Sequence, residues 1–462
     1  MQTDDRGYRR YWDEERETRD PRERERLILE RIRHQLDYVY AELPFYQRHY
    51  DAHGFKPEHV STLEDFTTKV PVITKKMLVA DQAEHPPYGS YAGAADAAGI
   101  ARIQGSSGTS GKPTFYCVSR TDWDRSADLA ALTMWAMGAR PSDIAQIGFP
   151  FSLFFGGWGV LQGLEKIGCA VFPVGIIPSE RHLELMQHIG STIFSGTPSY
   201  CQHLIGVAEQ MNIDLRKLPV QRLIVGGEPG GSLPGIRDLI TEAWGASVHD
   251  SGSTSEMYPF TTNVTANPEE GVLLINDEVF TEVVDRDDAN TPIPLGERGA
   301  VVYTHLWRES QPMIRFWAGD ETYMVHDGPT SCGRTYPRLP EGILGRLDDM
   351  LIIRGANIYP SAVEAVLREC AGMGAEFEIF VDRKDALDEM VVRAELTEAA
   401  ARSTASNAEE REGLRREAEG RLARNLQIRI PVELLEPGTL PPTVFKARRV
   451  VDQRTAAPAP PA

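Results

Sequence analysis

Cysteine is scarce and scattered in these 462 residues. The five cysteines stand at 117, 169, 201, 332 and 370 with no CxxC pair. That excludes a disulfide framework and offers no zinc-site spacing. Positive charge is also short: 49 Lys and Arg against 67 Asp and Glu leave a net charge of −18. A surface built mainly to hold nucleic acid or an anionic membrane is therefore not expected, although a local cluster of donors still suffices for a nucleotide. No apolar run reaches the ~18 residues of a membrane span, and the opening MQTDDRGYRRYWDEERE has no apolar signal core. There is no internal repeat and no evident catalytic triad. The expectation is a soluble, cytoplasmic enzyme of two or three domains.

What is present is alternation. Residues 20–54 read as a helix interrupted by Pro44, with Leu27, Leu29, Ile32, Leu36, Val39 and Tyr40 recurring among charges. From 100 to about 330, short apolar runs (QIGFPF, CAVFPV, STIFSG, RLIVGG) alternate with helical stretches at 180–189, 199–210 and 234–244. That order predicts an α/β fold with a largely parallel sheet. A β-rich stretch follows, and GILGRLDDMLIIRGANIYP (342–360) reads as a boundary. Beyond it, strands and a charged helix at 408–425 make a small α+β unit. The tail TAAPAPPA is expected to be disordered.

The stretch GSSGTSGKPT (105–114) is not a Walker loop. The first glycine is misplaced, and Lys112 is followed by Pro113 rather than by a hydroxyl for Mg²⁺. ARIQ before it and TFYCVS after it read as strands, giving strand–loop–strand. Small residues there let backbone N–H groups wrap a phosphate, but standing alone the stretch reads as a hairpin turn.

SSGTSGKPT resembles the phosphate loop of the adenylate-forming (ANL) superfamily, and five further segments stand in that family's order. They are GGEPGG (226–231), DSGSTSEM (250–257), IRFWAGD (314–320), GRLDDMLIIRGANIYPSAVE (345–364) and TVFKARRVVDQR (443–454). Within the superfamily the likeness is to phenylacetate–CoA ligases and their aryl-acid relatives. It implies an α/β fold with a large N-terminal domain of mixed sheets and helices (1–345) that holds ATP and the acid. A small mobile α+β C-terminal domain (346–454) and a disordered tail (455–462) follow. The implied reaction is ATP-dependent conversion of an aromatic acid to acyl-AMP, then thioester formation with coenzyme A.

The resemblance also implies roles. Ser106, Ser107, Gly108, Thr109, Ser110, Gly111 and Lys112 hold the β- and γ-phosphates, and Gly227, Glu228 and Pro229 border the adenine. In the segment Asp250, Ser251, Gly252, Ser253, Thr254, Ser255, Glu256, the last residue binds Mg²⁺ and either Thr254 or Ser255 touches the α-phosphate. Asp320 accepts from the ribose hydroxyls, something its two oxygens suit, and Arg346 assists. Lys446 is the catalytic lysine between carboxylate and α-phosphate, Asp348 the hinge, and Gly355 the border of the pantetheine channel. Taken singly, Glu256 or Asp320 would read as a surface or capping carboxylate and Lys446 as a solvated basic edge.

Two departures matter. The usual adenine-stacking aromatic is replaced by Gly252, so a stack must come from elsewhere, Tyr258 being the candidate. SCGR keeps only Cys332 of a zinc-binding pattern found in part of the branch, so no zinc is expected. GFPFSLFFGGWG (148–159) lies where the branch places its acyl site, with Phe151, Ser152, Phe155, Gly157 and Trp158 as lining residues. The small Ser152 favours a benzoate-like acid, ortho-substituted as in anthranilate, ahead of phenylacetate. A carrier-protein pantetheine or an amine is the alternative acceptor to coenzyme A. A non-enzymatic acyl- or nucleotide-binding regulator is a third reading, and a homodimer is left open.

Overall fold

Asp20 opens the first long helix, Pro21–Glu42, by accepting from the amides of Arg22 and Glu23, with Pro21 in the first turn. Pro44 separates it from Pro44–Ala52. The buried face is Arg24, Ile28, Ile32, Gln35, Leu36 and Val39. Leu27, Leu29 and Tyr40 of the expected stripe are only half-buried, because two polar residues enter the face. Arg24 donates to the Thr335 carbonyl at 2.7 Å and Gln35 to that of Arg308 at 3.0 Å.

The computed structural model describes residues 3–93, 99–106, 114–153, 155–259, 261–353, 356–384, 387–426, 428–441, 443 and 449–454. The chain forms two compact units. One comprises Met1–Gly196, Pro219–Gly227 and Ser247–Ile343; the other comprises Thr197–Leu218, Glu228–Ala246 and Leu344–Ala462.

The first unit is built on a sheet whose parallel strands lie in the order Ala170–Phe172, Ile144–Ile147, Ile193–Gly196, Arg222–Val225, Ser247–Gly252. Asn263–Val264, Val272–Leu274 and Arg338–Leu339 extend it antiparallel. The expected strands are thus found, joined in parallel (Ala145 opposite Ile193, Val225 opposite Asp250). Strand order reverses between Ile144–Ile147 and Ile193–Gly196. Such a reversal opens a crevice at the carboxyl ends of the strands, and GFPFSLFFGGWG leaves one of those ends.

A second sheet of the unit contains Ile73–Thr74, Phe316–Tyr323, Arg298–His305 and Val279–Val284 in that order. Between the pairs Ala300–Glu321 and Val302–Trp317 its register shifts, so that Ala318, Gly319 and Asp320 oppose Val301 alone. Gly319 takes φ +76° there, a conformation that side chains disfavour. This bulge sets the direction of Asp320. Ile100–Gly105 and Phe115–Ser119 form an antiparallel ribbon, the expected strand–loop–strand.

The second unit has a four-stranded sheet in the order Val432–Leu435, Leu387–Leu396, Met373–Lys384, Val450–Asp452. Helices Pro360–Arg368 and Ala408–Leu426 supply Val363, Val366, Leu367, Ala418 and Leu422 to a core with Phe377, Ile379, Val381 and Val392. The helices Pro198–Gln210 and Pro234–Trp244, which stand between sheet strands in sequence, cluster with this unit.

Candidate functional site

Glu256 lies in the turn that follows the strand Ser247–Gly252 and is 4% exposed. Its Oε1 accepts from the Tyr116 hydroxyl at 3.0 Å, and the Lys75 ammonium lies 2.8 Å from the same atom. Oε2 has no donor among the described residues. The turn's backbone is held just as firmly. Arg308, wholly buried, donates to the carbonyls of Glu256 (3.0 Å), Tyr258 (2.7 Å) and Cys117 (3.3 Å). His305 accepts the Met313 amide at Nδ1, which leaves its Nε2–H to donate to the Met257 carbonyl at 2.9 Å. Burial, with Arg308 close by, keeps that ring's pKa well below the usual value and so keeps it neutral.

Thr254 Oγ1 is buried without a hydrogen-bond partner among the described residues. An orphaned hydroxyl of this kind costs on the order of 1–3 kcal/mol, a cost that a ligand oxygen would offset. Ser253 directs its hydroxyl to the Thr254 carbonyl at 3.5 Å. Ser251 and Gly252 pair with Val264 and Asn263, and the Asp250 carbonyl accepts from Thr265 at 2.9 Å. These four residues build the ledge that carries Glu256.

Asp320 is 8% exposed. Beside it stands Tyr303, whose hydroxyl is pushed up first by burial and then by the charge of Asp320, while Thr262 hydrogen-bonds it. The ledge after Ser247–Gly252 and the bulged strand thereby meet around Tyr303.

The base of the loop 107–113 is closed. Ser106, 3% exposed, donates its amide to the Thr114 carbonyl at 3.0 Å and accepts the Thr114 amide on its hydroxyl at 3.3 Å. No acceptor among the described residues takes that hydroxyl's own proton. Ser107, Gly108, Thr109, Ser110, Gly111 and Lys112 lie outside the described residues, as do Gly355, Lys446 and the tail 455–462.

The aromatic residues of the expected acyl site form two pairs. Phe155 and Tyr258 stack at 5.4 Å with an interplanar angle of 3°, and burial pushes the Tyr258 hydroxyl up to about 12. A Cβ on Gly159 would stand 3.0 Å from the Tyr258 ring, so glycine permits this approach. Tyr258 thus groups with the aromatics of the expected acyl site. Phe151 meets Trp158 edge-on at 5.1 Å, Gly157 lies against Phe151, and the Trp158 indole donates to the Ser152 carbonyl at 3.4 Å.

Gly227 follows the strand Arg222–Val225 of the first unit. In the second unit, Glu228 accepts the Ser199 amide at 2.8 Å, and Pro229 is half-buried. Arg346 and Asp348 pair with each other at 2.7 and 3.0 Å on the surface. Thr443 and Arg449, which flank the segment 444–448, both bind the buried Glu376. It accepts the Thr443 amide and hydroxyl at 2.8 Å each and Arg449 at 2.6 Å. Burial pushes this carboxyl up, but Arg449 and Thr443 outweigh it and hold the pKa below the usual range.

Sequence reasoning missed Lys75, Tyr116, Arg308, His305 and Glu376. None carries a local motif; each acts through a contact distant in sequence, such as the 140 positions between Tyr116 and Glu256. Among the described residues there is no group of three or more His, Cys, Asp or Glu suited to a metal ion, and no helix long and apolar enough to cross a membrane.

Comparison with known proteins adds four findings. Residues 355–454 match the model of the AMP-binding enzyme C-terminal domain. The chain is 34% identical over 446 residues to the phenylacetate–coenzyme A ligase of Thermus thermophilus, covering 94% of this chain and 98% of that one. Against the Escherichia coli phenylacetate–coenzyme A ligase it is 30% identical over 440 residues, covering 95% and 97%. Among solved structures it is similar to a 2-hydroxyisobutyryl-CoA ligase in the postadenylation state with 2-HIB-AMP. The TM-score is 0.92 at 41% identity, covering 98% of this chain and 94% of that one.

Proposed function

The chain belongs to the phenylacetate–coenzyme A ligase family, and from that premise we propose that it activates an aromatic carboxylic acid with ATP and passes the acyl group to coenzyme A. The acid's carboxylate oxygen attacks the α-phosphorus, giving acyl-AMP and releasing pyrophosphate. The coenzyme A sulfur then attacks the acyl carbon, loses its proton and expels AMP. Such chemistry needs positioning and charge neutralisation rather than a protein nucleophile.

One observation carries the reading: a buried carboxylate with one oxygen that takes no donor among the described residues stands two residues from a buried hydroxyl with no partner among them, beyond the carboxyl end of a parallel strand. Glu256 suits Mg²⁺, which needs only one carboxylate when phosphate and water complete its shell. When bound, the ion supplies neutralisation of phosphate charge. Tyr116 and Lys75 orient the carboxylate through Oε1. The orphan state of Thr254 favours it over Ser255 as the α-phosphate donor. Asp320 accepts from the ribose. Ser106 and Lys112 serve the β- and γ-phosphates, Lys446 serves the reacting carboxylate, and the C-terminal part turns about Asp348 between the two half-reactions. Unpaired cysteines throughout the described chain suit a cytoplasmic setting.

The aromatic pairs around Phe151 and Phe155 support a flat acid, benzoate- or anthranilate-like ahead of phenylacetate. A second reading, a short branched 2-hydroxy acid, is favoured by the parallel Phe155–Tyr258 stack, in which the two rings fill one another's space. It is favoured also by the 41% identity to a 2-hydroxyisobutyryl-CoA ligase. Pyrophosphate release across benzoate, anthranilate, phenylacetate, 2-hydroxyisobutyrate and hexanoate decides between them, with mass spectrometry of the product formed from free coenzyme A. Preference for hexanoate would overturn both readings.

A further inference from the structure

A cavity of about 660 Å³ lies beside the ribbon strand Ile100–Gly105, in the range of a small-molecule site. Its wall includes Arg102 of that strand together with Tyr88, Ser152, Leu153 and Trp158. Trp158 also forms the edge-on pair with Phe151, so the cavity continues the expected acyl site. Ser152 and Leu153 are strapped to the strand. The Gly105 amide donates to the Leu153 carbonyl at 3.0 Å. The Trp158 indole and the Gln104 side-chain amide donate to the Ser152 carbonyl at 3.4 and 3.2 Å. With those carbonyls engaged, side chains decide what the cavity accepts.

The polar side chains there are donors. The Arg102 guanidinium lies over the Trp123 ring at 4.7 Å and the Trp158 ring at 4.9 Å. It makes no ion pair or hydrogen bond with any described residue, and the hydroxyls of Tyr88 and Ser152 are likewise without a partner among them. No Asp or Glu stands among the described residues that line the cavity, in a chain whose net charge is −18. Two indoles hold the guanidinium without consuming its N–H groups, and such a fork of donors matches a carboxylate. Ile103, Leu153 and Trp158 supply apolar surface beside it.

The cation also stands in line with the ledge. Arg102 and Gln104 share a face of the ribbon, two residues or about 7 Å apart. Gln104 pairs with Tyr116, whose hydroxyl binds Glu256. An acid whose reacting end lies at the Glu256 ledge therefore extends along the ribbon toward Arg102. We propose that the acid this protein activates is an aryl acid with a second carboxylate remote from the reacting one, and that Arg102 binds that second group. The proposal deepens the aryl-acid reading above and rests on it.

The test compares a diacid with its monoamide, in which one carboxylate becomes a neutral group of nearly the same shape. In pyrophosphate release without coenzyme A, kcat/KM for isophthalate or terephthalate should exceed that for the matching monoamide about tenfold, the effect of one charge-assisted bond. Arg102→Gln should collapse that ratio to within about twofold, and Arg102→Lys should restore part of it. Arg102→Glu should reverse the preference, toward 4-(aminomethyl)benzoate over terephthalate, an outcome that loss of folding cannot produce. A phosphate would meet the same donors, so the KM for ATP is followed alongside. A rise in it in Arg102→Gln, as large as the rise for the diacid, would assign the cation to the nucleotide and overturn the proposal. So would a diacid no better than its monoamide, or a ratio that survives Arg102→Gln. Failure of the aryl-acid reading looks different: the unaltered protein would release no pyrophosphate with any aryl acid, with or without a second carboxylate.

Discussion

The Glu256 ledge and the segment around Lys446 carry charged groups in opposite ways. Around Glu256, a wholly buried arginine and a neutral histidine hold three consecutive carbonyls, and a phenol and an ammonium hold the carboxylate. In the second unit, Thr443 and Arg449 share the carboxylate of Glu376, and Arg449 also donates to the Phe377 and Ala375 carbonyls at 3.4 and 3.3 Å. The Arg346–Asp348 pair stands in solvent, 38% and 68% exposed. Redundant anchorage suits groups that keep one position through a reaction. Glu376 is the group that Thr443 and Arg449 have in common, so a change there reaches both flanks of the segment at once.

The sharpest test of that contrast is Lys446→Ala, which should lower acyl-adenylate formation by about a hundredfold or more while leaving stability alone. Pyrophosphate release reads the first and thermal unfolding the second; unchanged adenylation would remove Lys446 from the chemistry. Arg308→Ala should do the reverse. By stranding buried carbonyls it should cost about 3 kcal/mol in urea unfolding, and a loss under ~1 kcal/mol would mean that the ledge does not depend on it.

Glu376→Gln keeps the shape but weakens the bonds to Thr443 and Arg449. A drop of about tenfold in adenylation with little change in ATP affinity is expected, and equal losses in both would make Glu376 merely structural. The smallest effect belongs to the surface pair. Asp348→Ala should change unfolding free energy by less than about 0.5 kcal/mol, so any larger shift would show that the pair is tied into more than solvent.

Much of this was legible in sequence because the elements announce themselves locally. The helices expected at 180–189, 199–210 and 234–244 are Ser179–Ile189, Pro198–Gln210 and Pro234–Trp244. The strands in STIFSG and RLIVGG are Ile193–Gly196 and Arg222–Val225. Periodicity found the first helix but misjudged its inward face, since it scores Arg24 and Gln35 as solvent-facing while each finds a buried carbonyl. AGD by itself does not announce the bulge that aims Asp320, which shows only in the register against Val301. Nothing local singles out Lys75, Arg308 or Glu376, because a lone charged residue gains its meaning only from a partner the fold brings near.

The closed neck between Ser106 and Thr114 has a thermodynamic consequence. Drawing together the ends of the seven intervening residues carries a length-dependent entropy cost of about 2 kcal/mol. The paired hydrogen bonds at the neck meet that cost when the protein folds. A nucleotide arriving later does not meet that closure cost again, so its affinity is relieved of it.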